Sequence, residues 1–414
     1  MSILVFNSGS SSLKFQLFNE DATTPVSILQ GTVRDLSAKA NCEWVYAGKQ
    51  ESTSIVANDH DDAARHILDL LENGTIAAQS LLDGVTAIGH RIVHGGSAFS
   101  APTLITDRTL LTLDVLSPLA PLHNPPALVV VQACRERLGD IPMVAVFDTA
   151  FFNGLPDYVR AYALPTVWTK RLQGIRRYGF HGLAHRSMYE HYLEISAADP
   201  ASSRVITLQL GHGCSVAAIH GGRALETSMG FTPMEGLIMA TRAGDIDIGA
   251  VLHLLEQGTV NMLELVDGLN NRAGLLGLSG ISGNMQELLT LEKQGHAGAS
   301  LAIEAFCHRA RKYLGAYLAV LGGADAILFG GGIGEQAIEI RERICAGMEW
   351  CGLVLDKQAN QVAIGVEACI SKADSQLMAY VISVDEESLI AQDTQHCLRT
   401  KTVEGFNFST SYQG

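Results

Sequence analysis

Short apolar runs alternate along this chain with longer segments of helical period, the pattern of an α/β protein. Residues 3–6 (ILVF) read as a buried strand, residues 7–12 (NSGSSS) as a small polar turn, and residues 13–18 (LKFQLF) as a half-buried second strand. The arrangement returns at residues 205–219 (VITLQLGHGCSVAAI), where a Gly-x-Gly turn joins two apolar strands. A third glycine turn follows the strand at 326–329, in AILFGGGIGE. Further strands are predicted at 85–93 (VTAIGHRIV) and 144–148 (VAVFD). A helix at 61–72 carries Ala64, Ile67, Leu68 and Leu71 on one face and stops at Asn73-Gly74. Pro126 suits the first turn of a helix at 127–138, after an extended, proline-bound loop at 119–126. In the helix at 299–321, Ala302, Ala305, Phe306, Ala310, Tyr313 and Leu314 form the apolar face, and His308, Arg309, Arg311 and Lys312 are expected on a solvated one. Ser383, three residues before Glu386, reads as a capping box opening a last helix that runs to about Leu398.

Composition narrows the class. At 414 residues, 47% hydrophobic and 17% charged, the chain is expected to fill two domain cores rather than remain disordered. A net charge of −14 argues against a nucleic-acid or anionic-membrane surface, yet a few focused arginines can still bind an anionic substrate. The eight cysteines show no zinc spacing and are expected as reduced thiols, which suits a cytoplasmic protein. Neither a signal peptide nor a membrane span is expected.

The candidate chemistry gathers at turns and strand ends. The tip at 7–12, with Asn7, Ser12 and nearby Lys14, suits phosphate oxygens, although an ordinary polar loop reads the same way. Arg91 stands at a strand end, where open α/β sheets place ligand groups, and the flanking His90 and His94 are expected to be structural. Asp148 ends a buried strand and would be half-desolvated unless it partners a metal or a nucleophile. His181 could face a cleft or be a core histidine bonded to a carbonyl. Residues 226–247 crowd Pro233, Gly236, Arg242, Asp245 and Asp247 together; a buried Arg242 needs an aspartate, a metal or an anion, whereas a surface ion pair is the plainer alternative. Glu386 fits either helix capping or a metal-bound water. Two hairpins with phosphate-sized tips and a third glycine loop (Gly331, Gly332, Ile333, Gly334) form the layout of nucleotide-binding folds in the actin, chaperone-ATPase and sugar-kinase group.

In chain order, LVFNSGSSSLKFQLF, GHRIVHGG, PLAPLHNPP, VFDTAF, RRYGFHG, TSMGFTPMEGLIMATRAGDID, GGGIGE and the closing DEE resemble the acetate and propionate kinase family across nearly the whole chain. The resemblance implies an α/β protein with a duplicated actin-like, ribonuclease H-like ATPase fold and two domains around a central cleft. The domains are expected at 1–149, completed by a C-terminal helix at 386–400, and at 150–385, which would hold the nucleotide. It further implies a cytoplasmic homodimer without nucleic-acid or membrane partners, and Mg2+-dependent transfer between ATP and acetate giving ADP and acetyl phosphate, with Mn2+ as a substitute metal. Arg91 and Arg242 would form an arginine clamp, His181 would donate to the moving phosphoryl group and His123 would lie beside it. Asp148 would be catalytic and, with Asn7 and Glu386, magnesium-associated. Val93, Leu122, Phe180 and Pro233 would hold the substrate methyl. Ser12, Lys14, Gly211, His212, Gly213, Asn284, Met285, Gln286 and residues 331–334 would contact the nucleotide.

The physics suits those roles. Two anions must approach each other, so fixed positive charge is needed, while the carboxylate acceptor is already ionised and needs no general base. The chain departs from the family pattern at Gln209, His212, Phe152, Glu226 and Gln336, and most of all at Asn284, Met285 and Gln286, where an arginine near the base is expected. Propionate as acyl acceptor, another phosphoryl donor such as pyrophosphate, and a catalytically weak acetyl-phosphate or nucleotide sensor therefore stand as alternatives.

Overall fold

The computed structural model describes residues 1–9, 11–20, 25–171 and 174–405, without the side chains of 171 and 401–405; Ser10 of the first hairpin tip lies outside the described residues. Two compact units divide the chain, one of Met1–Ala150 with Asp385–Gly414 and one of Phe151–Val384.

The first unit is built on β1 (Ser2–Ser8), β2 (Ser12–Asn19), β3 (Val26–Arg34), β4 (Ser37–Tyr46), β5 (Lys49–Ala57), β6 (Val85–Ile92), β7 (Thr103–Leu104) and β8 (Met143–Phe147), in the order β5-β4-β3-β2-β1-β6-β8-β7. β1 to β5 form an antiparallel meander, while β6 runs parallel to both β1 and β8. Every residue of β1 and β8 is buried, as expected of parallel strands covered on both faces. The C-terminal helix Glu386–Gly405 packs on β1, β6 and β8. It approaches closely because position 89 is glycine; a Cβ there would lie 2.5 Å from Thr394 Oγ1 and 2.7 Å from Ile390 Cγ2.

The second unit repeats the plan with β9 (Arg204–Leu210), β10 (Cys214–His220), β11 (Arg223–Thr227), β12 (Ala326–Gly330), β13 (Ala368–Cys369) and β14 (Met378–Val381), ordered β11-β10-β9-β12-β14-β13. In both sheets an antiparallel meander is joined through its first strand to two parallel strands: β3-β2-β1-β6-β8 and β11-β10-β9-β12-β14. The duplication expected from two hairpins is therefore a duplication of whole sheets. Val205 on β9 and Ala217 and Ile219 on β10 pack with Met188, Tyr189 and Tyr192 of the helix Gly182–Ser196.

Three local expectations are corrected. The helix expected at 127–138 spans Asn124–Leu138, because Pro125 and Pro126 both fit its first turn, where a missing N–H costs nothing. His123 is its N-cap residue instead of part of an extended loop. The last helix is capped not by Ser383 but by Asp385, whose carboxylate accepts from the Ser388 N–H and hydroxyl. Of the four basic residues on the helix Ala297–Leu321 only His308 and Lys312 are exposed; Arg309 donates to the Gly236 carbonyl and Arg311 to the Ile344 carbonyl, so those two charges brace neighbouring segments. All eight cysteines are free thiols. Among the described residues no helix is long and apolar enough to cross a membrane.

His90 and His94 are both buried. The His94 Nδ1 accepts from the Gly96 N–H, and the His90 ring stacks on Phe6 at 5.8 Å. Burial pushes the His90 imidazole down to about 3. Its folded value lies below its unfolded one, so the contribution to stability is whole above about pH 6.5 and is lost as pH falls toward 3. Urea midpoints measured across that window should fall for the wild type and fall less for His90→Leu; parallel curves would contradict the assignment.

Candidate active site

In the first unit, neighbouring strands and the start of the C-terminal helix bring five predicted residues together, Asn7, Lys14, Arg91, Asp148 and Glu386. Arg91 grips the Asp148 carboxylate with two hydrogen bonds, from Nε at 3.0 Å and Nη2 at 2.6 Å, and its Nη1 donates to Asn7 Oδ1 at 2.9 Å. The Asn7 amide donates onward to Glu386 Oε2 and Glu387 Oε1, both at 2.8 Å. Lys14 lies 3.1 Å from Glu387 Oε1. Burial alone would lower the Arg91 pKa, but Asp148 and Glu386 outweigh it and raise the value above the ordinary range. The guanidinium is therefore permanently charged, and three of its five N–H groups are committed within the described residues.

Three carboxylates against two cations leave this cluster one negative charge in excess. Among the described residues no three His, Cys, Asp or Glu side chains form a ready metal cage. Mg2+ does not need one, since it characteristically takes one or two carboxylates and keeps water and phosphate oxygens. Asp148 and Glu386 supply oxygens of that type, whereas the Asn7 carbonyl is held by Arg91. Val93 is buried in this unit and Leu122 is half exposed. Ser12 closes the hairpin turn by accepting from the Gly9 N–H on its carbonyl.

In the second unit the β9–β10 turn is the focus. Gly211 donates to the Gly213 carbonyl and closes it. A Cβ placed on Gly213 would lie 3.1 Å from His181 Cε1, 3.2 Å from His181 Nε2 and 3.9 Å from Arg242 Nη1, so histidine and arginine converge on the bare backbone there. His181 precedes the helix Gly182–Ser196 with φ 60°, a left-handed conformation uncommon for any residue but glycine. Arg242 donates to the Pro233 carbonyl at 3.0 Å, and burial lowers its pKa. The two aspartates crowded near it serve other purposes: Asp245 accepts from the Gly236 N–H and Tyr313 hydroxyl and lies 3.6 Å from Arg309, while Asp247 caps the helix Ile248–Glu256. Phe180 is buried and Pro233 half-buried in this unit.

Beside this turn lies a cavity of about 990 Å³ whose lining includes Gly211, His212, Ala240, Thr241, Asn284, Met285, Gln286, Leu289, Lys293, Gly332, Ile333 and Ile364. Seven predicted nucleotide contacts therefore line one cavity. Gly213, Gly331 and Gly334 do not line it. Asn284 also caps the helix Met285–Lys293, accepting from the Glu287 N–H. Burial, and then the neighbouring Arg242, push the His212 imidazole below its ordinary value. Thr241, Lys293 and Ile364 were not predicted; they reach the cavity from a loop, a helix end and a distant turn with no shared sequence pattern.

A buried guanidinium–carboxylate pair in one unit and, in the other, a histidine and an arginine converging on a glycine turn beside a nucleotide-sized cavity are features of a phosphoryl-transferring α/β enzyme. The chain matches the Acetokinase family over residues 2–392. It is 42% identical over 401 residues to the acetate kinase of Bacteroides thetaiotaomicron, covering 96% of this chain and 100% of the relative, and 40% identical to that of Treponema denticola, covering 95% and 99%. The crystal structure of the Porphyromonas gingivalis acetate kinase superposes with a TM-score of 0.88 at 38% identity, covering 96% and 99%; a propionate kinase from Francisella tularensis gives 0.87 at 34%, covering 95% and 99%. The protein belongs to the acetokinase family.

Replacing Gly213 with alanine should push His181 aside while sparing the fold. We expect kcat to fall roughly 10-fold or more, the scale on which misplacing one oriented group is felt, with unchanged circular dichroism. Wild-type kcat in Gly213→Ala would show that the convergence at this turn has no catalytic role.

Proposed function

We infer that this protein is an acetate kinase, moving the terminal phosphoryl group between ATP and acetate to interconvert acetyl phosphate and ADP. The observation that carries the reading is the convergence of His181 Nε2 and Arg242 Nη1 on Gly213, at the edge of the nucleotide-sized cavity. Two cationic or N–H donor groups aimed at one spot suit an anion in transit. Arg242 spreads positive charge over the phosphoryl oxygens, and His181 donates to the same group. Arg91 serves that phosphoryl group too, with its orientation set by Asp148 and Asn7. His123 contacts phosphate or substrate, and Val93, Leu122, Phe180 and Pro233 bound the acyl group.

Mg2+, or Mn2+ in its place, would be held by Asp148 and Glu386, in a cluster that Asn7 ties together. When bound it offsets phosphate charge. Lys14 and Ser12 border the phosphate-binding hairpin. A cavity of about 990 Å³, whose lining mixes Met285, Leu289, Ile333 and Ile364 with polar Thr241, Asn284 and Gln286, has the size and mixed character that suit a nucleoside and is far larger than pyrophosphate needs. Gln286 replaces a guanidinium near the base without closing that space.

The enzyme works as a homodimer in the cytoplasm. The helix Ile248–Glu256 has no buried residue, and Ile248, Leu252, Met262, Leu263 and Val266 are all exposed apolar side chains, of the kind a second copy covers. Free thiols at all eight cysteines suit a reducing compartment.

Acyl phosphate trapped as hydroxamate, measured across carboxylic acids and donors, tests the reading. Acetate with ATP should give the highest kcat/KM and propionate a lower one, since one methylene in an apolar pocket is worth only about 1–3 kcal/mol. A strong preference for propionate or pyrophosphate, or nucleotide binding without turnover, would contradict it. The same preparation should sediment as a dimer, and a monomer at assay concentration would remove that part.

A further inference from the structure

Behind His181 lies a chain of hydrogen bonds that the phosphoryl-transfer chemistry does not use directly. His181 Nδ1 lies 2.9 Å from Ser215 Oγ, Ser215 Oγ lies 2.7 Å from His185 Nε2, and His185 Nδ1 lies 2.7 Å from Thr207 Oγ1. Ser215, His185 and Thr207 are all fully buried. β9 and β10 turn Thr207 and Ser215 toward the helix Gly182–Ser196, which carries His185, so three elements fix the line.

Each member has one proton to give along the chain. Serine and threonine hydroxyls carry one each, and a neutral imidazole carries one. His185 is held neutral because burial, and then the nearby His181, push its pKa well below the ordinary value. The chain can point one of two ways, and the mixed arrangement in which Ser215 accepts from both histidines would leave the buried Ser215 hydrogen without an acceptor among the described residues. Pointing away from His181, the Thr207 hydroxyl would accept from His185 and its own hydrogen would have no acceptor among the described residues. A buried donor left unsatisfied costs about 1–3 kcal/mol. Pointing toward His181, every group is used: Thr207 donates to His185 Nδ1, His185 Nε2–H to Ser215 Oγ, and Ser215 Oγ–H to His181 Nδ1.

We propose that the Thr207–His185–Ser215 chain sets the tautomer of His181, filling Nδ1 so that the ring proton resides on Nε2, the ring nitrogen that lies 3.2 Å from a Cβ placed on Gly213. Thr207, His185 and Ser215 are thus positioning residues, with Thr207 acting on the site through two intermediaries. Its hydroxyl makes His181 a donor rather than an acceptor. The proposal rests on the reading of His181 as donor to the phosphoryl group only for its catalytic consequence; the tautomer itself is independent of any substrate.

Long-range proton–nitrogen correlation spectra of protein labelled with 15N-histidine read the tautomer directly in the substrate-free enzyme. Both His181 and His185 should carry their proton on Nε2. Thr207→Val keeps the shape but removes the hydroxyl; it should populate the Nδ1–H form of His181 and lower kcat roughly 10- to 100-fold, as partners that orient a functional histidine do, without changing KM for acetate. Thr207→Ser should restore both, and Thr207→Val should have no further effect on kcat when added to His181→Ala. An Nδ1–H tautomer at His181 in the wild type, or Thr207→Val leaving tautomer and kcat unchanged, would overturn the proposal. A shifted tautomer with unchanged kcat would uphold the chain and overturn the catalytic role of His181.

Discussion

A guanidinium buried in a protein keeps its charge only if something replaces the water it has lost, and this fold answers that requirement differently in each unit. Arg91 is neutralised by a buried carboxylate, Asp148, through two hydrogen bonds. Removing either partner of such a pair strands the other at a cost of about 3–5 kcal/mol, so the pair also ties β6 to the end of β8. Arg242 rests instead against the Pro233 carbonyl, in a loop whose aspartates are taken by Tyr313, Arg309 and a helix cap.

Sheet duplication puts these groups at comparable places. β1 and β9 each begin a meander and pair with a parallel strand, and in each case the hairpin turn that follows lies next to functional side chains. In the first unit that neighbour is an acidic cluster threaded by Asn7; in the second it is His181 over Gly213. Repetition of one backbone plan has thus produced two chemically distinct ends, one suited to a divalent cation and one to phosphate.

Much of this is legible in the sequence because strand ends and glycine turns are local signals. Arg91, Asp148 and the GHG turn follow immediately on apolar runs, so period and position locate them. The long C-terminal helix is readable too, but its cap is not: Ser383 and Asp385 both satisfy capping chemistry, and only the backbone path selects Asp385. Arg309 looked like a surface charge because its acceptor, the Gly236 carbonyl, is 73 residues away in the chain. The chain behind His181 is silent in the sequence for the same reason. Thr207, Ser215 and His185 are unremarkable in their own segments and become a unit only when β9, β10 and a helix pack together. Asn284 shows the opposite case, a position singled out for the ligand that also has an ordinary duty as a helix cap.

The central proposal is that Arg91 and Arg242 both serve the phosphoryl transfer. Steady-state kinetics with acetate and ATP for Arg91→Ala, Arg242→Ala and the double variant test it most directly. The account predicts that each single replacement lowers kcat/KM by about 10³-fold or more and that the double variant is scarcely slower than the worse single, as for groups that work as a unit. Losses that add fully, or near-wild-type turnover in either single variant, would contradict it.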